Sequence, residues 1–221
     1  MRTASKMFRF RYEKNVLGKL VRKEGVMCLK VVLHKTIEYF CNMVSCGYVE
    51  VYNEFSLQHE IGIFLRTMFP RLSVQFEKNI SSFGFNKVDF LKKEIDISIS
   101  YEGRLISIIE LKYPRNGQYP EQMFKFCEDI AFVEQVKNAG IESAFFVAFV
   151  DDKNFYSGNC GGIYEYFRCG KTIEGRINKP TGKNAEDIYI TIEGNYKILW
   201  RQCEFCSEDL ESIRYSIVSI G

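Results

Sequence analysis

Between residues 93 and 113 two strand-forming segments meet at a turn, and three of their charges stand where burial should exclude them. Residues 93–101 alternate strictly, with Ile95, Ile97 and Ile99 on one face and Glu94, Asp96, Ser98 and Ser100 on the other. Glu102-Gly103 is a turn signal, and residues 105–113 are nearly all apolar, as in a strand covered on both faces. That second strand nevertheless contains Glu110 and Lys112, which a period of two puts on one face. A charge in a central strand is costly unless it is paired or binds a metal. Two carboxylates converging at a sheet end make a hard-oxygen site suited to Mg²⁺. A Lys beside them can position a water and stabilise charge developing at a phosphate. The plainer alternative is a buried Asp–Lys or Glu–Lys ion pair between neighbouring strands.

The surroundings read as alternating helices and strands. Asn53 or Ser56 can cap a helix with Phe55, Ile61, Phe64, Leu65 and Met68 on one face, ended by Pro70. Residues 72–80 read as a strand. Residues 120–139 form a long helix, with Pro120 near its first turn, Gly140 past its end, and an apolar stripe of Met123, Phe124, Ile130, Phe132, Val133 and Val136. Residues 143–150 are a fully buried strand. The order is α-β-β-β-α-β. Residues 163–202 read as short strands joined by Gly-rich turns, with a hairpin at Gly194-Asn195, either extending the main sheet or forming a small subdomain. With no repeat or low-complexity linker, 221 residues suit one domain: a basic, partly helical arm (1–52), a core (53–152) and a β-rich extension (153–221).

Asp96, thirteen intervening residues and then Glu110-Leu111-Lys112, set in this order of elements, resembles the PD-(D/E)xK nuclease superfamily. The resemblance covers residues 53–150 and departs at Ile95, where the family's name has Pro. It implies an α/β, restriction-endonuclease-like core with a central mixed sheet flanked by helices. It also implies that Asp96 and Glu110 bind the divalent metal, Mg²⁺ or Mn²⁺ in its place, and that Lys112 helps activate the attacking water. Glu60 matches the Glu on the first helix that often completes the site. Gln122, with Lys125 as competitor, matches an auxiliary position on the second helix, and Glu94 is a further auxiliary acid. The implied activity is Mg²⁺-dependent DNA endonuclease cleavage of restriction or defence type, leaving a 5′-phosphate and a 3′-hydroxyl. A repair or mobile-element nuclease acting on ends or branches, and a non-catalytic nucleic-acid-binding module on the same fold, are the alternatives.

These carboxylates share a face only in certain registers. A two-residue turn at Glu102-Gly103 opposes Asp96 to Ile109 and turns it away from Glu110. A three-residue loop of Tyr101-Glu102-Gly103 sets Glu94 opposite Glu110 with Asp96 diagonal, and a loop of Glu102-Gly103-Arg104 sets Asp96 opposite Glu110. Turn chemistry favours the loop ending in Gly103.

Charge and cysteines complete the expectations. Residues 1–35 hold ten Lys or Arg against two Glu, a basic arm on an acidic remainder that suits a polyanion such as DNA. Arg168, Lys171, Arg176, Lys179 and Lys183, with one acid (Glu174) among them, read as a basic loop or hairpin for phosphates. No apolar run is long enough to span a bilayer, Arg2, Lys6, Arg9 and Arg11 break any signal-like segment, and no nucleotide-binding glycine motif occurs. A cytoplasmic protein with reduced cysteines is expected; Cys203 and Cys206 have half of a zinc site, with Cys160 and Cys169 too irregularly placed to favour completing it. Two-fold cutting of a duplex would call for a homodimer.

Overall fold

The computed structural model describes residues 29–183, 185–203 and 213–220. Residues 1–28, most of the basic arm, lie outside them, as does Cys206. The chain is α/β: a five-stranded mixed sheet carries helices on both faces. In chain order the elements are α1 (Leu29–Ser45), α2 (Glu54–Met68), β1 (Ser73–Asn79), β2 (Glu94–Tyr101), β3 (Arg104–Lys112), α3 (Tyr119–Asn138), β4 (Ser143–Val150), α4 (Tyr164–Arg168), β5 (Ile173–Asn178), β6 (Tyr189–Tyr196) and β7 (Arg214–Ile220). The α-β-β-β-α-β order expected for the core is present.

The main sheet runs β1-β2-β3-β4-β7. The first three strands form an antiparallel meander; α3 then crosses over so that β4 lies parallel to β3, and β7 closes the edge antiparallel to β4. Of the two arrangements expected for residues 163–202, the separate one is present, and the strand that joins the main sheet, β7, lies beyond that range and was not anticipated. Strand β7 extends the main sheet, while β5 and β6 pair as a separate two-stranded sheet.

Helix α2 starts at Asn53, whose side chain accepts from Ser56 N–H at 2.8 Å while Ser56 Oγ accepts from Asn53 N–H at 3.1 Å. This reciprocal pair satisfies two otherwise orphaned donors. The buried stripe is Leu57, Ile61 and Leu65, one residue per turn, packed in the cluster that holds Ile97, Ile109 and Leu111. Each such burial contributes roughly 1.5–3 kcal/mol. Phe55, expected on that face, is instead 75% exposed, because the stripe runs through Leu57. Helix α3 lies against the opposite face, where Phe126, Ile130 and Val133 meet Ile108, Phe146 and Ala148. With both faces covered, all eight residues of β4 are buried.

The β2–β3 register corrects the expected turn. Tyr101 opposes Arg104, so the loop is the two-residue one, Glu102-Gly103, with φ of 49° and 82°. Positive φ at both positions is the two-residue hairpin geometry that matches strand twist, and Gly103 adopts it without strain. Taken alone this turn would separate Asp96 from Glu110. A β-bulge reverses the outcome: Ser100 opposes Leu105 but Ile99 opposes Ser107, leaving Ile106 as an extra residue. Beyond the bulge Ile97 opposes Ile109, and continuing that register sets Asp96 opposite Glu110.

Two further expectations change. Gly194 and Asn195 lie inside β6, and the hairpin is instead β5–β6, joined by residues 179–188. A Cβ at Gly194 would come within 2.8 Å of Glu134 Oε1, whose carboxylate accepts the backbone N–H groups of Glu193 and Gly194 at 2.8 and 2.6 Å. The Tyr196 ring, whose hydroxyl also donates to Glu134, lies closer still, so crowding by Tyr196 and the helix carboxylate, not a turn, explains this glycine. Among the cysteines, Cys41 and Cys127 are free and buried, but Cys46 is bonded to Cys203 and Cys160 to Cys169, with Cα separations of 5.4 and 6.2 Å. The inference of a reducing compartment from unpaired thiols loses its premise, and the cysteines considered for zinc are engaged elsewhere, Cys206 aside. Among the described residues no helix is long and apolar enough to cross a membrane.

Candidate active site

Asp96, Glu110 and Lys112 come together on the α3 face of the sheet. The bulge sets the parity: Ile97, Ile109 and Leu111 turn towards the cluster under α1 and α2, so their neighbours in β2 and β3 turn towards α3. Past Ile97–Ile109 the carboxylates take over backbone partners of the facing strand. Glu110 Oε1 accepts Asp96 N–H at 3.0 Å, and Asp96 Oδ2 accepts Leu111 N–H at 2.7 Å. Each acid is thus held by the other strand. Glu110 is fully buried, and the Asp96 and Lys112 side chains are 15% and 14% exposed.

Three residues not anticipated as site members complete the cluster. Lys92, in the loop before β2, is ion-paired and hydrogen-bonded to Glu110 Oε2, lies 3.0 Å from Asp129 Oδ1 and 4.0 Å from Asp96 Oδ1. Asp129 of α3 is buried, with Oδ2 3.0 Å from Lys112 Nζ, an ion pair whose angle makes no hydrogen bond. Glu54, in the first turn of α2, reaches round the sheet end to Lys112 Nζ at 3.4 Å and accepts Tyr113 N–H at 3.1 Å. Lys112 Nζ also donates to the Leu111 carbonyl at 3.1 Å. A signal for Asp129 exists in the sequence. It falls three residues after Phe126 and four before Val133, on the apolar stripe of its helix. Lys92 has no such signal.

Electrostatics follow from burial and charge count. Asp96, Glu110 and Asp129 face two ammoniums, and Glu54 adds a further, more exposed carboxyl, so four acids surround two bases. Burial raises the Asp96 carboxyl from 3.8 to about 6 although Lys92, Lys112 and the Leu111 N–H pull it down. Burial, then the Asp96 charge, push Glu110 well above the usual carboxyl range, with Lys92 opposing. Burial alone would lower Lys92 and Lys112. For Lys92 the charges of Glu110, Asp129 and Asp96 outweigh it, and for Lys112 those of Asp129, Glu54 and Asp96, so both are raised above the ordinary lysine value and stay protonated.

The remaining expected residues stand apart. Glu60 has His59 as its hydrogen-bond and ion-pair partner among the described residues. The reason is the helix it sits on: α2 packs its stripe against the face opposite the carboxylates, and only its first turn, with Glu54, passes the sheet end. Gln122 is buried and donates to Asn116 Oδ1 at 2.9 Å, anchoring the β3–α3 connection. Lys125 is exposed on α3. Glu94 is exposed at the start of β2, opposite Asn79.

The basic stretch forms α4, β5 and the β5–β6 loop. Arg168 is a rivet, its guanidinium donating to the carbonyls of Asn154 and Asn159 and lying 3.8 Å from the Tyr164 ring centroid. Lys171 pairs with Glu165, and Arg176 lies over the Tyr189 ring. Lys183 is exposed. Lys179 and Thr181 bind Glu121 in the first turn of α3, about 12 Å along that helix from Asp129. Exposed pairs of this kind are weak, because water and salt screen them.

Among the described residues no three His, Cys, Asp or Glu side chains make a ready cage for a metal. The donor set still suits Mg²⁺, which is usually held by one or two carboxylates with waters and substrate oxygens supplying the rest. Asp96 and Glu110 are the two carboxylates that could supply such a pair. Comparison of the chain with protein-family models, with curated proteins and with solved structures finds no match.

Proposed function

We propose that the protein is a metal-dependent nuclease of the restriction-endonuclease-like type, acting on DNA. The observation that carries this reading is the reciprocal clasp of Asp96 and Glu110 across two strands, with Lys112 on the same face. Two buried carboxylates, a half-buried third and two half-buried lysines are an expensive way to hold a sheet together, since apolar replacements of similar volume are often neutral or stabilising. Such a cluster fits a chemical task.

Asp96 and Glu110 would hold Mg²⁺, which when bound acts as a Lewis acid towards phosphate and water. Lys112 remains protonated, so it donates: its ammonium orients the attacking water and stabilises charge developing on a phosphate oxygen. Asp129 and Glu54 both pair with that ammonium and hold it in position. The basic hairpin offers phosphate contacts that hold DNA without reading its sequence. A non-catalytic module on the same fold is the second reading, favoured by the Lys92 ammonium already resting on Glu110.

Supercoiled plasmid incubated with Mg²⁺ separates them. Cleavage is expected for the wild type, abolished by EDTA, Asp96→Ala or Glu110→Ala, and lowered by orders of magnitude in Lys112→Ala. Cleavage that persists in EDTA, or none under any metal, overturns the proposal.

A further inference from the structure

Lys92 is the one cluster member on a loop. It follows the short turn Lys87–Asp89, where Leu91 N–H is held by Gln135 Oε1 at 2.9 Å and the Lys93 carbonyl by Ile80 N–H at 2.8 Å. The loop backbone is therefore tied to α3 and to the residue that follows β1, while the side chain extends from it into the carboxylates. Its ammonium contacts Glu110 Oε2, lies 3.0 Å from Asp129 Oδ1 and 4.0 Å from Asp96 Oδ1, and is 5.6 Å from the Phe132 ring centroid. Glu110 Oε1 and Asp96 Oδ2 are already committed to backbone N–H groups. The two oxygens left for a cation, Glu110 Oε2 and Asp96 Oδ1, are the two that Lys92 faces. A monovalent ammonium thus occupies the position a divalent ion would need.

We infer that Lys92 is a tethered competitor of the metal: its ammonium holds the carboxylates together in the metal-free protein and must withdraw before Asp96 and Glu110 can share a divalent cation. This rests on the nuclease reading of the same carboxylates. Withdrawal is feasible because the Lys92 side chain is 30% exposed, against 14% for Lys112, and a flexible four-carbon stem can swing its charge to water without moving the backbone. Lys112 has no such exit, being enclosed by Asp129, Glu54 and the Leu111 carbonyl. The consequence is a raised threshold for metal, so that occupancy of the site follows the concentration of divalent ion steeply in the range where the two cations exchange.

The test is direct Mn²⁺ binding, by calorimetry or by the electron-spin resonance of free Mn²⁺, to wild type, Lys92→Met and Lys92→Arg without DNA. Lys92→Met should tighten Mn²⁺ binding by about tenfold or more, the equivalent of ~1.4 kcal/mol or above, and Lys92→Arg should not. Thermal unfolding read on the same samples shows that each is folded; should Lys92→Met fail to fold without metal, refolding it in a Mn²⁺ series must show rescue at concentrations below the wild-type dissociation constant. Equal or weaker Mn²⁺ binding by Lys92→Met overturns the competition while leaving the metal site standing. Absence of Mn²⁺ binding in all three proteins overturns the nuclease reading and this inference with it.

Discussion

Asp129→Asn is the sharpest probe of how the cluster is held. Asp129 is 4% exposed at its side chain and lies 3.0 Å from both Lys92 Nζ and Lys112 Nζ, one through each oxygen. The amide keeps one acceptor and turns a donor towards the other ammonium, so one lysine loses a partner whichever way the amide is oriented. Breaking a buried ion pair by removing one charge costs about 3–5 kcal/mol. The net should be smaller here, because Lys92 is 30% exposed and can turn to water, whereas Lys112 keeps Glu54 and the Leu111 carbonyl. We expect a loss of about 2–3 kcal/mol, which at a urea m-value of ~2 kcal/mol/M lowers the midpoint by about 1–1.5 M with m unchanged. Lys112→Met in the same background supplies a double-mutant cycle, and the coupling between the two positions should be at least about 1 kcal/mol. A midpoint within measurement error of the wild type, or additivity of the two substitutions within about 0.3 kcal/mol, would refute the claim that Asp129 fixes Lys112.

Two other outcomes follow from the same geometry. Glu54→Gln should lower plasmid cleavage by about tenfold or more through loss of its charge beside Lys112, while Glu60→Gln should cleave at the wild-type rate; the reverse ranking in a side-by-side rate measurement would reinstate Glu60. The pH dependence has a definite sign: an acid raised from 3.8 to about 6 binds more protons in the folded chain than in the unfolded one, so the stability it contributes falls as pH rises through that interval. The stability of wild type relative to Asp96→Asn should therefore decrease between pH 4 and pH 6 in metal-free chemical denaturation, and a difference that increases over that range contradicts the burial-driven shift.

Much of this site is legible in the one-dimensional pattern. Period-two alternation in β2, although Ile95 packs in the cluster on the α3 side and not with Ile97 and Ile99, the apolar run that contains Glu110 and Lys112, and the Pro and Gly punctuation around α3 are local properties of the chain. They were sufficient to anticipate the order of the core elements and the meeting of Asp96, Glu110 and Lys112 on one surface. The route to that surface was not legible. The Glu102-Gly103 turn has the wrong length for it, and the bulge at Ile106 restores the face because the buried positions of β3 must meet both α2 and α3; packing on two sides, not turn preference, chose the register. The same dependence on distant partners explains Glu54 in place of Glu60. Two acids on one helix are equivalent in the sequence, and only the face on which α2 docks separates them. Lys92 and Asp129 lie 37 residues apart and meet only because α3 crosses over the sheet, as Cys46 and Cys203 meet across 157. Short-range periodicity determines which residues of a segment share a face; which faces then confront one another depends on burial summed over the whole chain, and no local window contains it.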